Sequence, residues 1–260
     1  MDAENQKAKR QKIVFRVIIA ISLAAMIAGA IMIYKSLSEY KIGADSYREL
    51  EQFVTLPEEP AESAGPEDTP SRWPKVDFEA LWEINPDVVA WLYCEDTAIN
   101  YPVVQGTDND YYLRRLLDGT WNIAGSLFVD ANNQPGFVDH NTIIYGHNLK
   151  DGSMFRCVAE YKKQEYYDAH PVMLLVTPEQ NYEIQLFSGY VADPQKAEET
   201  WSTWYGSRGE FQTWIDTTMA RSTFSSGVLP TTADRFITLS TCSYEWDDAR
   251  YVVVGVLVEE

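Results

Sequence analysis

The chain has 260 residues, with 39 acidic against 21 basic side chains and a formal net charge of −18. An acidic chain with no basic stripe repels phosphate backbones, which argues against nucleic acid as a partner. Three cysteines with no CxxC pair and three histidines supply neither a disulfide scaffold nor a multi-His metal centre, while 45% hydrophobic residues suffice for a packed core.

At the N-terminus, Lys7, Lys9, Arg10, Lys12 and Arg16 precede an uncharged run from Val17 to Tyr34. Spanning a bilayer takes about 20 apolar residues, and Arg16 and Lys35 can snorkel at the two ends. The basic flank belongs in the cytoplasm, which places the remainder outside the cell membrane. A cleaved signal peptide is the competing reading, but its small-residue site, Ala28-Gly29-Ala30, lies inside the apolar run. The expected organisation is a cytoplasmic tail (1–16), a single-pass membrane anchor (17–35), an extracellular helix and spacer (36–75) and a catalytic domain (76–260). Beyond Lys35 there are 37 acidic and 15 basic residues, so the external part is near −22.

Spaced Tyr40, Tyr47, Leu50 and Phe53 predict a short amphipathic helix over Ser38 to Val54. Five prolines and several acids between Pro57 and Pro74 predict a stiff, solvated spacer that holds the next domain off the membrane. Asp77 to Trp82 reads as a helix ended by Asn85-Pro86. Val88–Tyr93, Ser126–Val129, Thr142–Tyr145, Val172–Val176, Tyr182–Val191, Phe236–Leu239 and Tyr251–Val258 read as strands. A further helix covers Glu210 to Arg221, with Phe211, Trp214, Ile215 and Met219 on one face. Many short strands and few helices describe a mainly β chain, a closed barrel or a sandwich with helical decoration.

The chemistry gathers at strand ends. Cys242 closes Thr238-Leu239-Ser240-Thr241-Cys242, His147 follows the Ile143-Ile144-Tyr145-Gly146 strand, and Arg250 opens the next strand after a seven-residue turn. Gly146 is read as permitting an unusual backbone there. A nucleophilic thiol needs a nearby cation to raise its thiolate fraction, and an acyl-transfer oxyanion needs a donor. Arginine does not give up its proton below a pKa of about 12, so proton transfer falls to His147.

Tyr-Gly-His-Asn (145–148), Thr-Leu-Ser-Thr-Cys (238–242) and an Arg eight residues later, in that order, resemble sortases. The helix-bearing insertion between Tyr190 and Phe236 resembles class B, as does Asn109-Asp110-Tyr111-Tyr112-Leu113 followed by Gly125-Ser126-Leu127-Phe128-Val129-Asp130. The likeness covers about residue 76 to the C-terminus. It implies an eight-stranded sortase-type β-barrel and a membrane-anchored cysteine transpeptidase that uses no cofactor and no metal. By this resemblance Cys242 attacks a sorting signal after Thr, His147 moves the proton and Arg250 holds the oxyanion. Asn109, Leu113, Tyr145 and Ser240 line a groove for an Asn-Pro-x-Thr or Leu-Pro-x-Thr-Gly type motif, and Thr241 lends an amide or hydroxyl. The implied partners are surface proteins bearing such signals, and an amine of a peptidoglycan cross-bridge or a pilin lysine.

Other residues read as structural. His140 is expected in a surface turn and His170 at a helix end. Cys94 and Cys157 read as two buried free thiols, Trp201, Trp204, Tyr205, Tyr166 and Tyr167 as packing, and Asp247 and Asp248 as solvent-facing. Asp130 and Asp139 lack EF-hand spacing, so no calcium is expected. Two other functions fit less well. A cell-wall cysteine peptidase or amidase more often places Cys before His, and a non-catalytic surface module needs no reactive thiol.

Overall fold

A computed structural model of the chain describes residues 2–57, 71–243, 245 and 248–260. It forms two compact units, Met1–Ile42 and Gly43–Glu260. The first lies within helix α1 (Asp2–Leu50). Its apolar side chains, among them Val17, Ile21, Met26 and Ile33, are exposed. With a mean hydropathy of 2.5 in its most apolar stretch, the helix is long and apolar enough to cross a membrane.

The second unit begins inside the same helix. The separate helix expected over Ser38 to Val54 is instead the last part of α1, because no Pro or Gly interrupts residues 34–42. Gly43 lets the helix approach its own domain closely, since a Cβ there would stand 3.0 Å from Asn122 Oδ1 and 3.1 Å from the Ala124 Cβ. Tyr47 and Leu50 are buried.

After a 3-10 turn (Glu51–Phe53), strand β1 (Val54–Thr55) pairs with β2 (Lys75–Val76) in the register Val54↔Val76. The Pro/Glu-rich spacer, of which residues 58–70 lie outside the described residues, therefore leaves and returns at neighbouring points. The strands that flank it are about one strand spacing, ~5 Å, apart. Helix α2 (Phe78–Ile84) starts at Asp77, whose carboxylate accepts the Ala80 N–H at 3.0 Å, and it stops at Asn85 before Pro86.

Strands β3 (Val88–Tyr93), β4 (Asn100–Val104), β5 (Leu127–Val129), β6 (Asn141–Tyr145), β7 (Val172–Val176), β8 (Asn181–Ala192), β9 (Arg235–Cys242) and β10 (Arg250–Glu259) close into an eight-stranded barrel of order β10-β8-β7-β3-β4-β5-β6-β9. The β4–β5 and β6–β9 pairs are parallel, and all others in the barrel are antiparallel. Strand β4 escapes the hydrophobic pattern because Pro102 sits inside it. That proline pairs with Trp91 of β3 one residue before the parallel contact with β5 begins at Val103. Strand β9 runs to Cys242, three residues past its apolar part, because β10 on one side pairs with it throughout.

Helix α3 (Gln164–Ala169) ends at His170. Helix α4 (Arg208–Ala220) is capped by Ser207 and packs Phe211, Trp214 and Ile215 against Phe187, Tyr190, Phe236, Val252 and Val254 on the outside of the barrel. It covers one length of the outer face of β8–β10. Register puts Ser240, Cys242 and Arg250 on that same face, beyond the helix.

His140 is not in a free turn. Its ring lies between Trp204 (centroids 3.8 Å apart) and Phe211 (4.4 Å), and its Nδ1 accepts the Tyr205 N–H at 3.2 Å. Trp204 remains 59% exposed, so it shields the histidine and is not core. Burial holds the His140 pKa below its ordinary value. The folded chain therefore resists protonation there while the unfolded chain accepts it, and stability falls as pH drops below about 6.5. Urea unfolding of the wild type and His140→Gln at pH 7 and pH 5 should show a smaller loss in the variant; equal losses would refute this role.

Candidate active site

Two strand pairings assemble the site. β6 and β9 run parallel with Tyr145 beside Ser240, so the residues that follow, His147 and Cys242, emerge at the same end of the barrel. β10 returns antiparallel with Arg250 directly opposite Cys242 and Val252 opposite Ser240. Because side chains alternate along a strand, Phe128, Tyr145, Ser240, Cys242 and Arg250 share one face. They border a pocket of about 210 Å³ that is also lined by Asn109, Leu113, Gly146, His147 and Thr241. All eight residues singled out from the sequence meet in this one cavity.

The loop after β6 is fixed by packing. The Gly146 N–H donates to the Ser240 carbonyl at 3.1 Å, which carries the pairing one residue further. Gly146 does not have a left-handed backbone. It is required because a Cβ would come within 2.5 Å of both Leu127 and Phe155 side-chain atoms. His147 accepts the Phe155 N–H on its carbonyl at 2.9 Å, and the Asn148 side chain donates to the Cys242 carbonyl at 2.8 Å.

His147 Nε2 lies 2.7 Å from the Leu113 carbonyl oxygen. A carbonyl only accepts, so Nε2 carries the proton and the neutral ring keeps Nδ1 as its basic atom. Burial, opposed by that hydrogen bond and helped by the positive charges of Arg114 and Arg250, holds the His147 pKa below its ordinary value.

The Leu113 carbonyl is itself supported. Gly125 has φ +58°, and a Cβ there would approach the Leu113 oxygen to 2.6 Å, so only glycine allows the two loops this close. The Tyr47 hydroxyl, from the end of α1, donates to the Gly125 carbonyl and lies 3.1 Å from Ser126 Oγ. On the other wall the buried Asp130 carboxylate accepts from the Tyr145 hydroxyl at 2.7 Å and the Asn109 side-chain amide at 3.0 Å. Asn109 also accepts the Ala131 N–H at 2.8 Å. Asp130 thus orients two lining residues, a role that neither its place in the Gly125–Asp130 segment nor the calcium consideration assigned to it. The signal was its place at the end of the strand facing Tyr145.

Ser240 Oγ accepts from Trp201 Nε1 at 3.4 Å. Of the two contributions expected of Thr241, the geometry leaves the main chain: strand alternation turns its side chain to the opposite face from Cys242. Its buried hydroxyl has no partner among the described residues. Arg250 uses one guanidinium nitrogen on the carbonyls of Asp248 (3.0 Å) and Ala249 (3.2 Å), which anchors its base to the turn. Asp248 is exposed and takes φ +64°, and Asp247 lies outside the described residues. Cys94 and Cys157 are free thiols, and burial raises both, Cys94 to about 11. Among the described residues no group of three His, Cys, Asp or Glu side chains could hold a metal ion.

The sequence profile of the Sortase domain family matches residues 92–258. Sortase B of Listeria monocytogenes is 38% identical over 186 residues, which covers 68% of this chain and 72% of that one. The fold resembles a Staphylococcus aureus sortase B–substrate complex (TM-score 0.66, 34% identity, 70% of this chain and 84% of that chain). It also resembles Bacillus anthracis sortase B in complex with AAEK1 (TM-score 0.71, 30% identity, 86% of this chain and 100% of that chain). The chain belongs to the sortase family, class B, whose members are cysteine transpeptidases.

The environments of the three thiols predict their order of reactivity. At pH 8 a thiol of pKa about 11 is only roughly one-thousandth thiolate. Iodoacetamide followed by peptide mass analysis should therefore label Cys242 at least about tenfold faster than Cys94 or Cys157 in the folded chain. Equal labelling would contradict the assignment.

Proposed function

We propose that this sortase cleaves C-terminal sorting signals of the Asn-Pro-x-Thr or Leu-Pro-x-Thr-Gly type after Thr, and passes the acyl group to an amine of peptidoglycan or of a pilin. The observation that carries the reading is the meeting of Cys242, His147 and Arg250 on one pocket through the β6–β9–β10 register. A solved Staphylococcus aureus sortase B, similar to this chain, holds a substrate, which supports a peptide in the equivalent groove.

In the first half-reaction His147 Nδ1 takes the Cys242 thiol proton, and the resulting thiolate attacks the Thr carbonyl carbon. The scissile C–N bond breaks and the leaving amine takes a proton from His147 Nδ1. In the second, an incoming amine attacks the thioester carbon and gives its proton to Nδ1. The C–S bond then breaks and the thiolate returns. Hydrogen-bond donors aimed at the charge that develops in the transition state lower the barrier. The Arg250 guanidinium nitrogens not engaged with the turn supply them. Asn109, Leu113, Tyr145 and Ser240 form the groove walls, and the Thr241 main chain borders the carbonyl. The Tyr145 and Asn109 polar groups are drawn back by Asp130, so Tyr145 presents its ring to the substrate.

We further read residues 17–35 as the membrane anchor, with the basic tail 1–16 in the cytoplasm and the catalytic unit outside. The exposed apolar helix and the lysine and arginine cluster on its N-terminal side support this.

The test uses the full chain in detergent micelles, with both kinds of signal peptide and with or without hydroxylamine or an amino-acid amine. Cys242→Ala should abolish turnover, and His147→Gln should lower it about 10²–10⁴-fold. Arg250→Lys should lower it about 10²-fold, because a point charge does not reproduce a planar donor fork. Turnover surviving Cys242→Ala, or normal turnover with Arg250→Lys, would contradict the mechanism. Cleavage that amines do not accelerate would instead identify a hydrolase.

A further inference from the structure

A column of stacked rings reaches solvent at the end of β6 away from Cys242. Trp204 lies on His140 (centroids 3.8 Å apart, planes 9° apart), and His140 lies on Phe211 (4.4 Å, 15°). Phe211 meets Trp214 and Phe236 in the core, so the column stands on a rigid base. The chain on either side of Trp204 is tied to the same place. The Thr203 carbonyl accepts the Asn141 N–H at 3.2 Å, and the Tyr205 N–H donates to His140 Nδ1 at 3.2 Å. One face of the Trp204 indole is therefore covered, while the residue remains 59% exposed. It borders a cleft of about 490 Å³ whose polar edge comes from His140, Ser207, Arg208 and Thr232. Arg208 Nε donates to Thr232 Oγ1 at 2.8 Å, which fixes the guanidinium, and its two terminal nitrogens have no partner among the described residues. Because Nδ1 accepts, the neutral His140 ring carries its proton on Nε2, and that N–H also lacks an acceptor among the described residues. His140 stands five residues, about 17 Å along the strand, from Tyr145, and the cleft shares no lining residue with the catalytic pocket.

We propose that this cleft binds a saccharide, as a pyranose ring that carries an N-acetyl group. The proposal does not depend on the acyl-transfer reading of Cys242. The flat face of a pyranose is a layer of C–H bonds, whose positive hydrogens suit the negative face of an indole already held in place. Its oxygens lie around the rim, where the free groups of the cleft stand. The guanidinium and the Nε2–H only donate, so they call for an oxygen that only accepts, and an acetyl carbonyl is one. A carboxylate would bring a negative charge that the chain beyond Lys35, near −22, repels. An apolar side chain of a protein partner would cover the indole but leave both donors unpaired. Trp204 is also the one exposed large apolar residue in the cleft, far short of the roughly 800 Å² per partner of a stable protein interface.

The test is calorimetric titration of the full chain, in a detergent without a sugar headgroup, with two β-1,4-linked tetrasaccharides. One is built of N-acetylglucosamine and the other of glucose. The acetylated chain should bind about fivefold more tightly, the difference of one acceptor oxygen. Trp204→Ala should raise its Kd about tenfold, and Arg208→Gln about fivefold. Trp204→Phe keeps a ring over His140, and so tests the platform with its base still covered; its smaller face should raise the Kd about threefold. Arg208→Gln should also erase the preference between the two sugars. Absence of binding, equal binding of the two tetrasaccharides to the wild type, or a Kd unchanged in both Trp204→Phe and Arg208→Gln would overturn the proposal.

Discussion

The site depends on one constraint, the parallel pairing of β6 with β9. Parallel neighbours end at the same rim of a barrel, and the Tyr145↔Ser240 register sets how far each chain runs before it ends. Two residues beyond that pair stand His147 and Cys242. The antiparallel return of β10 then sets Arg250 opposite Cys242 with no further positioning device. A slip of one residue in β9 would turn Cys242 to the other face of the sheet, where Thr241 now points. The register is secured by burial: Ile143, Ile144, Leu239, Val252 and Val253 are fully enclosed and exchange ladder hydrogen bonds throughout.

Around this frame, buried polar contacts orient the reactive groups. The Leu113 carbonyl selects the proton position on His147, and the Asp130 carboxylate draws back the polar ends of Tyr145 and Asn109. A hydrogen bond to a charged partner contributes about 1.5–3 kcal/mol, enough to hold a side chain in one rotamer against its entropy. Through Tyr47, Gly125 and Leu113 the last turns of α1 belong to the same support. Residues 43–50 of that helix thus belong to the catalytic unit as one of its working parts.

Much of this was legible in the sequence because burial leaves a periodic trace. Strands β3 and β7 match the hydrophobic runs that predict them, and the ends of β6, β9 and β10 carry the Tyr-Gly-His-Asn, Ser-Thr-Cys and Arg segments that mark the chemistry. What stayed hidden depends on tertiary contact. Pro102 masks β4, because its tolerance depends on which neighbour begins pairing where. The reason for Gly146 is a steric one that only the approach of Leu127 and Phe155 reveals. The spacer reads as a rod from its prolines, yet the pairing of Val54 with Val76 brings its ends together. His140 looks like a turn residue until Trp204 and Phe211, over 60 positions away in sequence, close on its two sides.

The central claim is that His147 stands ready to carry the proton on Nδ1, because the Leu113 carbonyl holds Nε2–H. The chain has only three histidines, so ring-labelled ¹⁵N NMR of the full chain can assign His147 by its loss in His147→Gln. Above the His147 pKa the account predicts a protonated Nε2 and an unprotonated Nδ1. A neutral His147 with its proton on Nδ1 would contradict it.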